Sequence, residues 1–238
     1  CIPKEEFVAF EKLCSESFDA WLLAKSKADY SLFAPYLEKV IEGKKKLYGY
    51  RNSNMSIYNQ MLDDFEPGMD EEKYDSFFAA LKERLVPLIQ KVTKAKQLRE
   101  DFLAQSFPVE EQKKFMEGLL EYLHFDSSWG YQNESEHPFT SWTCENDCRT
   151  TTKYLENNVI SAILSTVHEV GHAYYEHNIN PKYDGMILSE GVSSGMHESQ
   201  SRLCENYLGR TLAFWKYHYP KLQKHFPKQL GEVSLEEF

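Results

Sequence analysis

The sequence predicts a mainly α protein with one short β-sheet element near residues 137–154, and three observations carry that expectation. Apolar residues recur at three- and four-residue steps through most of the 238 residues, the spacing that lines one face of a helix. Between Ser127 and Tyr154 that period lapses into a stretch rich in Thr, Trp, Cys and Tyr, a composition that suits strands. No repeat, low-complexity stretch or evident linker interrupts the chain, so one compact domain over 1–238 is expected.

The first helix reads from Pro3 to about Asp29, with Phe7, Phe10, Leu13, Cys14, Phe18, Trp21 and Leu22 in helical register. Pro3 and the acidic pair Glu5 and Glu6 suit its start. SLFAPYLEKVIEGKKKLYGY continues the period through Leu37, Val40, Ile41 and Leu47, and its run Lys44–Lys46 reads as a solvated helix face. IYNQMLDDFEPGM is a short helix stopped by Pro67 and Gly68. A long amphipathic helix follows from about Asp70 to Gln97, then another from Pro108 to His124, with Pro in its first turn. HPFTSWTCENDCRTTTKY suggests two strands around a turn at Glu145 to Asp147. Two more helices, about 157–178 and 189–215, are joined by NINPKYDGMI.

Composition narrows the function. Hydrophobic residues make up 42% and charged residues 27%, a balance that fills a globular core. The net charge of −10 argues against nucleic acid or an acidic membrane surface as a partner. No apolar run approaches the roughly 20 residues of a membrane helix. Five cysteines do not form a disulfide framework pattern. Cys144 and Cys148 lack the second pair a structural zinc site needs. The chain therefore reads as reduced and cytoplasmic. It opens CIPKEEF, without a methionine or targeting segment, and stops at VSLEEF. Both ends read as cut from something longer.

The stretch STVHEVGHAYYEHN holds the chemistry. His168 and His172, four residues apart on a helix, share one face and can chelate one metal ion. The apolar stripe Ile160, Ile163, Val167 and Tyr174 runs beside them, which puts the pair at the edge of a buried face. Glu169 can reach a water activated by that metal without binding the metal itself, the arrangement that hydrolysis needs. The plainer alternative is a pair of half-buried histidines satisfied by backbone or water. Catalytic zinc takes three protein ligands and keeps a position open, and spacing alone leaves Glu190, Glu198 and Glu205 as candidates for the third. Small residues before Glu198, namely Gly191, Ser193, Ser194 and Gly195, would let its helix approach the histidine helix. Glu198 could instead simply pair with Arg202, four residues on.

Four ordered blocks, HPF at 137–139, DCRTT at 147–151, HEVGH at 168–172 and HESQ at 197–200, together with MLDDFEPGM at 61–69, resemble the carboxypeptidase Taq family of zinc metallocarboxypeptidases. The likeness extends over essentially the whole chain. It implies a helical groove-type metallopeptidase fold and a zinc ion, or cobalt, one per chain, on His168, His172 and Glu198. It implies Glu169 as general base, a homodimer, and stepwise removal of C-terminal residues from peptides with broad specificity. Family members are about twice this length and carry two further blocks, IRxxAD and GxxQDxHW, that these residues lack.

Around that centre, His137 and His197 are candidate additional donors. Asp147 is a candidate partner for the second N–H of a ligand histidine. Arg149 and Arg202 are the local cations that could grip a terminal carboxylate, each otherwise an ordinary ion-pair partner. If TSWT or CRTTTKY forms an edge strand, an extended peptide could add to it. The rival readings are a zinc endopeptidase with the same metal site, and a truncated, non-catalytic metal-binding fragment.

Overall fold

The structure, a computed structural model, describes residues 1–51, 53–144 and 146–238. It is mostly helical, with one three-stranded sheet. The described residues fall into two compact units, Cys1–Ile89 and Gln90–Phe238. No helix among them is long and apolar enough to cross a membrane.

The first unit is built from helices α1 (Lys4–Lys27), α2 (Ala34–Gly49) and α3 (Ile57–Phe65), and holds most of α4 (Glu71–Lys94). All four lie where the periodicity puts them. Glu5 and Glu6 sit in the first turn of α1, and Lys25 and Lys27 in its last, which complements the helix dipole at both ends. Helix α1 stops where Ala28 turns left-handed, at φ 51°. Phe10, Ala24 and Leu47 are buried between α1 and α2. The LDDFEPGM stretch is held by its two aspartates. Asp64 takes both nitrogens of the Arg51 fork at 2.7 Å and the Tyr48 hydroxyl, while Asp63 accepts from the Gly68 amide at 2.7 Å. Arg51 holds the Asp64 carboxyl below its usual range against the opposing effect of burial.

In the second unit, α5 (Val109–Tyr122) begins directly after Pro108. The polar segment after it carries three strands, β1 (Gly130–Glu134), β2 (Thr140–Cys144) and β3 (Asp147–Thr152), in the order β1-β3-β2. Strand β1 runs parallel to β3 and β2 antiparallel to it. The sequence suggested only two strands: GYQNE has no β-branched residue, so local propensity gives β1 no signal. Of the turn expected at Glu145 to Asp147, Glu145 lies outside the described residues, and Asp147 already belongs to β3.

Helix α6 (Val159–His177) lies against β3 and starts at Asn158, whose side chain accepts from the Ser161 amide at 3.1 Å. Its buried residues Val159, Ile163, Val167, Val170 and Ala173 follow the helical period into the core. There they join Phe107, Met116, Leu119, Phe214 and Leu222.

The second metal-site helix departs from expectation. In place of one helix over 189–215 there is α7 (Ser194–Cys204), a widened π turn at Glu205–Gly209, then α8 (Leu212–His225) and the short α9 (Pro227–Leu230). Thr211 caps the new start by accepting from the Phe214 amide at 3.2 Å, so the Gly209-Arg210-Thr211 stretch ends one helix and opens the next. The small residues before Glu198 also act differently. Ser193 caps α7, accepting from the Met196 amide at 3.1 Å. The close approach comes from Gly171 of α6, where an added Cβ would stand 2.8 Å from Ser201 Cα and 3.0 Å from Cys204 Cβ.

Two glycines therefore predict opposite signs. Gly171→Ala pushes a methyl group into α7 backbone and should destabilise by about 1–3 kcal/mol. Gly118→Ala, on an exposed turn of α5 with nothing within 4 Å of the new Cβ, should stabilise by roughly 0.5–1 kcal/mol. Urea unfolding of both variants reads the signs. Gly171→Ala as stable as the parent would refute the contact.

His218 makes an acid-stability prediction. It is 1% exposed, enclosed by Phe214, Tyr122 and Tyr217 at ring-centroid distances of 4.2, 4.5 and 4.9 Å. Its Nε2 has no hydrogen-bond partner among the described residues. Burial, with a small contribution from Lys221, lowers its pKa to about 4. Unfolded, the ring titrates near 6.5, so between these values the unfolded state holds the extra proton and stability rises with pH. Acidification from pH 6.5 to 4 should cost on the order of 3 kcal/mol from this residue. His218→Leu should flatten that slope in unfolding curves taken across the range.

Candidate metal centre

The two histidines project from one face of α6, and α7 brings a carboxylate to them. Glu198 Oε2 stands 3.5 Å from His168 Nε2 and 3.5 Å from His172 Nε2. His168, His172 and Glu198 form the only group of three metal-ligating side chains found among the described residues, with donor atoms within 4.8 Å of one another. Two donors bonded at about 2.1 Å to a tetrahedral ion are about 3.4 Å apart. The observed separations fit. Glu190 and Glu205, the other carboxylates that spacing left open, are not in the group.

Each ring is held from behind. His168 Nδ1 meets Glu205 Oε2 at 2.9 Å, and His172 Nδ1 meets His197 Nδ1 at 2.8 Å. Such contacts turn both Nε2 atoms toward Glu198 and orient the rings before any ion arrives. Glu205 reaches His168 from the π turn that follows α7, a helical irregularity that often accompanies functional sites. It is buried, and Arg202 and Arg210 donate to it at 2.9 and 2.7 Å. Burial works to raise the pKa of Glu205, but hydrogen bonds from Arg210 and His168 overcome it, and the net shift is downward.

Glu198 has one oxygen for each neighbour. Arg202 Nε donates to Oε1 at 2.7 Å, while Oε2, also reached by Ser201 Oγ at 3.2 Å, faces the histidines. Burial opposes ionisation of Glu198, yet Arg202, His168 and Ser201 bring the net shift down. His172 goes the other way. Burial, then the neighbouring His168 and His197, lowers its pKa to about 4. It is a neutral imidazole at neutral pH, the form that binds metal.

Glu169 lies beside this cluster, 6% exposed. Burial raises its pKa, opposed by a hydrogen bond from Thr140 and by His168 and His137. Thr140 Oγ1, on β2, lies 2.7 Å from Glu169 Oε2 and 2.9 Å from the Glu169 carbonyl. A carboxylate kept dry, with a raised pKa and one oxygen tethered, is suited to proton transfer.

The remaining candidates are placed as follows. His137 is exposed, its Nδ1 2.6 Å from the Pro138 carbonyl. Asp147 is not the partner of a ligand histidine: its two oxygens accept from Arg149 at 2.8 and 2.9 Å. Arg149 is thereby engaged in that exposed pair, and Arg202 in its bonds to Glu198 and Glu205. Both arginines are ion-pair partners. CRTTT is the central strand β3, with a neighbour on each side, so of the two suggested segments only TSWT, in β2, lies at a sheet edge. Thr140, Glu176 and the contact of Glu205 with His168 Nδ1 escaped the sequence reading. The spacing Glu205 shares with the other glutamates was a signal for proximity, and no local signal marks Thr140.

The profile of the family described as carboxypeptidase Taq (M32) metallopeptidase matches residues 1–238. The chain is similar to carboxypeptidase 1 of Bacillus subtilis, 41% identical over all of this chain and 48% of that protein. It is also similar to thermostable carboxypeptidase 1 of Thermus thermophilus, 34% identical over 100% of this chain and 48% of that one. A solved structure described as "BsuCP Crystal Structure" superposes with a TM-score of 0.95 at 41% identity, again over 100% of this chain and 48% of its own. The chain thus spans about half the length of the curated relatives it matches.

Proposed function

The chain belongs to the carboxypeptidase Taq (M32) metallopeptidase family, and from that premise we propose that it carries the metal centre and general base of a zinc-dependent carboxypeptidase. In this reading the protein removes C-terminal residues from peptides with broad specificity, is cytoplasmic, and acts as a homodimer. The observation that carries the proposal is the pair of Nε2 atoms and the Glu198 oxygen, at tetrahedral spacing beside a buried Glu169. Five free thiols support a reducing compartment.

His168, His172 and Glu198 would hold the ion, and zinc suits two imidazoles and one carboxylate with a position left open; cobalt would fit the same donors. When bound, the ion supplies Lewis-acid polarisation of a water and of the scissile carbonyl. The protein's own groups do the rest. Glu169 takes the proton of the attacking water and returns it to the leaving amine. Thr140 holds Glu169 Oε2, which leaves Oε1 to make the transfer. The Nδ1 contacts of His168 and His172 keep both rings from turning. The exposed edge of β2 offers backbone groups to an extended peptide beside Glu169. The terminal carboxylate needs a further cation, because Arg149 and Arg202 are already paired.

Zinc affinity by chelator competition should be abolished in His168→Ala and in His172→Ala. Glu169→Gln should keep one zinc ion per chain and lower peptide turnover about 10²–10⁴-fold; undiminished turnover would remove Glu169 as the base. Peptides with an amidated C-terminus separate the two peptidase readings. A carboxypeptidase leaves them intact, and cleavage would establish an endopeptidase.

A further inference from the structure

His172 does not end its hydrogen bonding on a carboxylate as His168 does. Its Nδ1 lies 2.8 Å from His197 Nδ1, and His197 Nε2 lies 2.5 Å from Glu176 Oε1. Two ring nitrogens can share a hydrogen bond only if one donates and the other accepts. If His172 Nε2 is to present a lone pair to a cation, its ring proton must be on Nδ1 and must be given to His197. His197 Nδ1 is then the acceptor, so its own proton is on Nε2 and goes to Glu176. The opposite assignment, a doubly protonated His197, drives the proton of His172 onto Nε2 and blocks the ligand position.

The surroundings lock this path. His172 and Glu176 are one turn apart on α6, and His197 immediately precedes Glu198 on α7, so the contact also ties the two ligand-bearing helices together. Glu176 is 7% exposed; its Oε1 also takes the Gly191 amide at 3.2 Å, and its Oε2 is buried with no hydrogen-bond partner among the described residues. The His197 ring packs against Tyr175 at 4.9 Å between centroids, and an added Cβ on Gly191 would stand 2.5 Å from His197 Cδ2. The ring is bounded on these sides, with a quarter of its side-chain surface exposed. Glu205 is matched by two arginines, whereas among the described residues the partners of Glu176 are His197 and the Gly191 amide.

We propose that His197 and Glu176 are positioning residues, a bridge that fixes the Nδ1-protonated tautomer of His172 and so readies its Nε2 for a divalent cation. This rests on the reading of His168, His172 and Glu198 as the ligands. The bridge makes His172 a more basic ligand by placing a buried carboxylate charge one imidazole away.

The test uses the intact protein, with zinc and cobalt as the probes. Chelator competition should show affinity about 10–100-fold weaker in His197→Phe, which keeps the ring volume but loses the acceptor. Glu176→Gln, which keeps the shape and removes the charge, should also weaken it, by a smaller factor. Long-range ¹H–¹⁵N NMR of the zinc-loaded protein should find the proton of His172 on Nδ1 and that of His197 on Nε2 alone. Affinities of both variants within about threefold of the parent, or a doubly protonated His197 in the zinc-loaded protein, would overturn the bridge. Glu176→Gln equal to the parent would remove Glu176 from it. A parent protein that binds neither metal would instead overturn the metal centre itself, so the two failures are distinguishable. Circular dichroism of each variant confirms folding, and Glu176→Gln keeps the test open if His197→Phe does not fold.

Discussion

The site depends on how closely α7 lies against α6. Glu198 can face two imidazoles on another helix only because Gly171 lets the α7 backbone come to within van der Waals contact at Ser201 and Cys204. Interiors are packed densely enough that even one methyl group there has nowhere to go. This contact falls one residue before His172 on α6 and three residues after Glu198 on α7, so the steric constraint and the donor geometry are neighbours.

Electrostatics then sorts the acidic side chains into roles. Glu198, Glu205, Glu176 and Glu169 lie within a few turns of one another, a concentration of negative charge that repels itself unless offset. Arg202 bridges Glu198 and Glu205, and Arg210 takes the other oxygen of Glu205, so these two carboxylates stay ionised. Glu169 has no arginine among its partners in the described residues, and its burial raises its pKa. Carboxylates of one type are thus divided by environment into ionised groups beside the histidines and a buried one whose pKa is raised.

The sheet contributes through a single side chain and an edge. Thr140 at the start of β2 anchors Glu169, and the same strand has its outer edge unpaired within the sheet. One element therefore places a buried carboxylate and a sheet edge side by side. Arginine pairing has the opposite consequence. Arg149 and Arg202 are committed to Asp147, Glu198 and Glu205, so their charge is spent on neighbouring carboxylates.

What the sequence determined by itself was local. Helical period located α1 to α6 to within a few residues, because burying one face of a helix is a constraint that every turn repeats. The four-residue spacing placed His168 and His172 together, because that spacing is set by helix geometry alone. Three features were illegible. Strand β1 carries no local preference and exists through pairing with β3. The break at Thr211 depends on a capping bond that the apolar period, which runs on past it, does not reveal. The choice among Glu190, Glu198 and Glu205, and the partners Thr140, Glu205 and Glu176 gained by the site, required knowing which turn of α7 meets which turn of α6. Contacts between residues distant in sequence are decided by packing, and only the tertiary structure settles them.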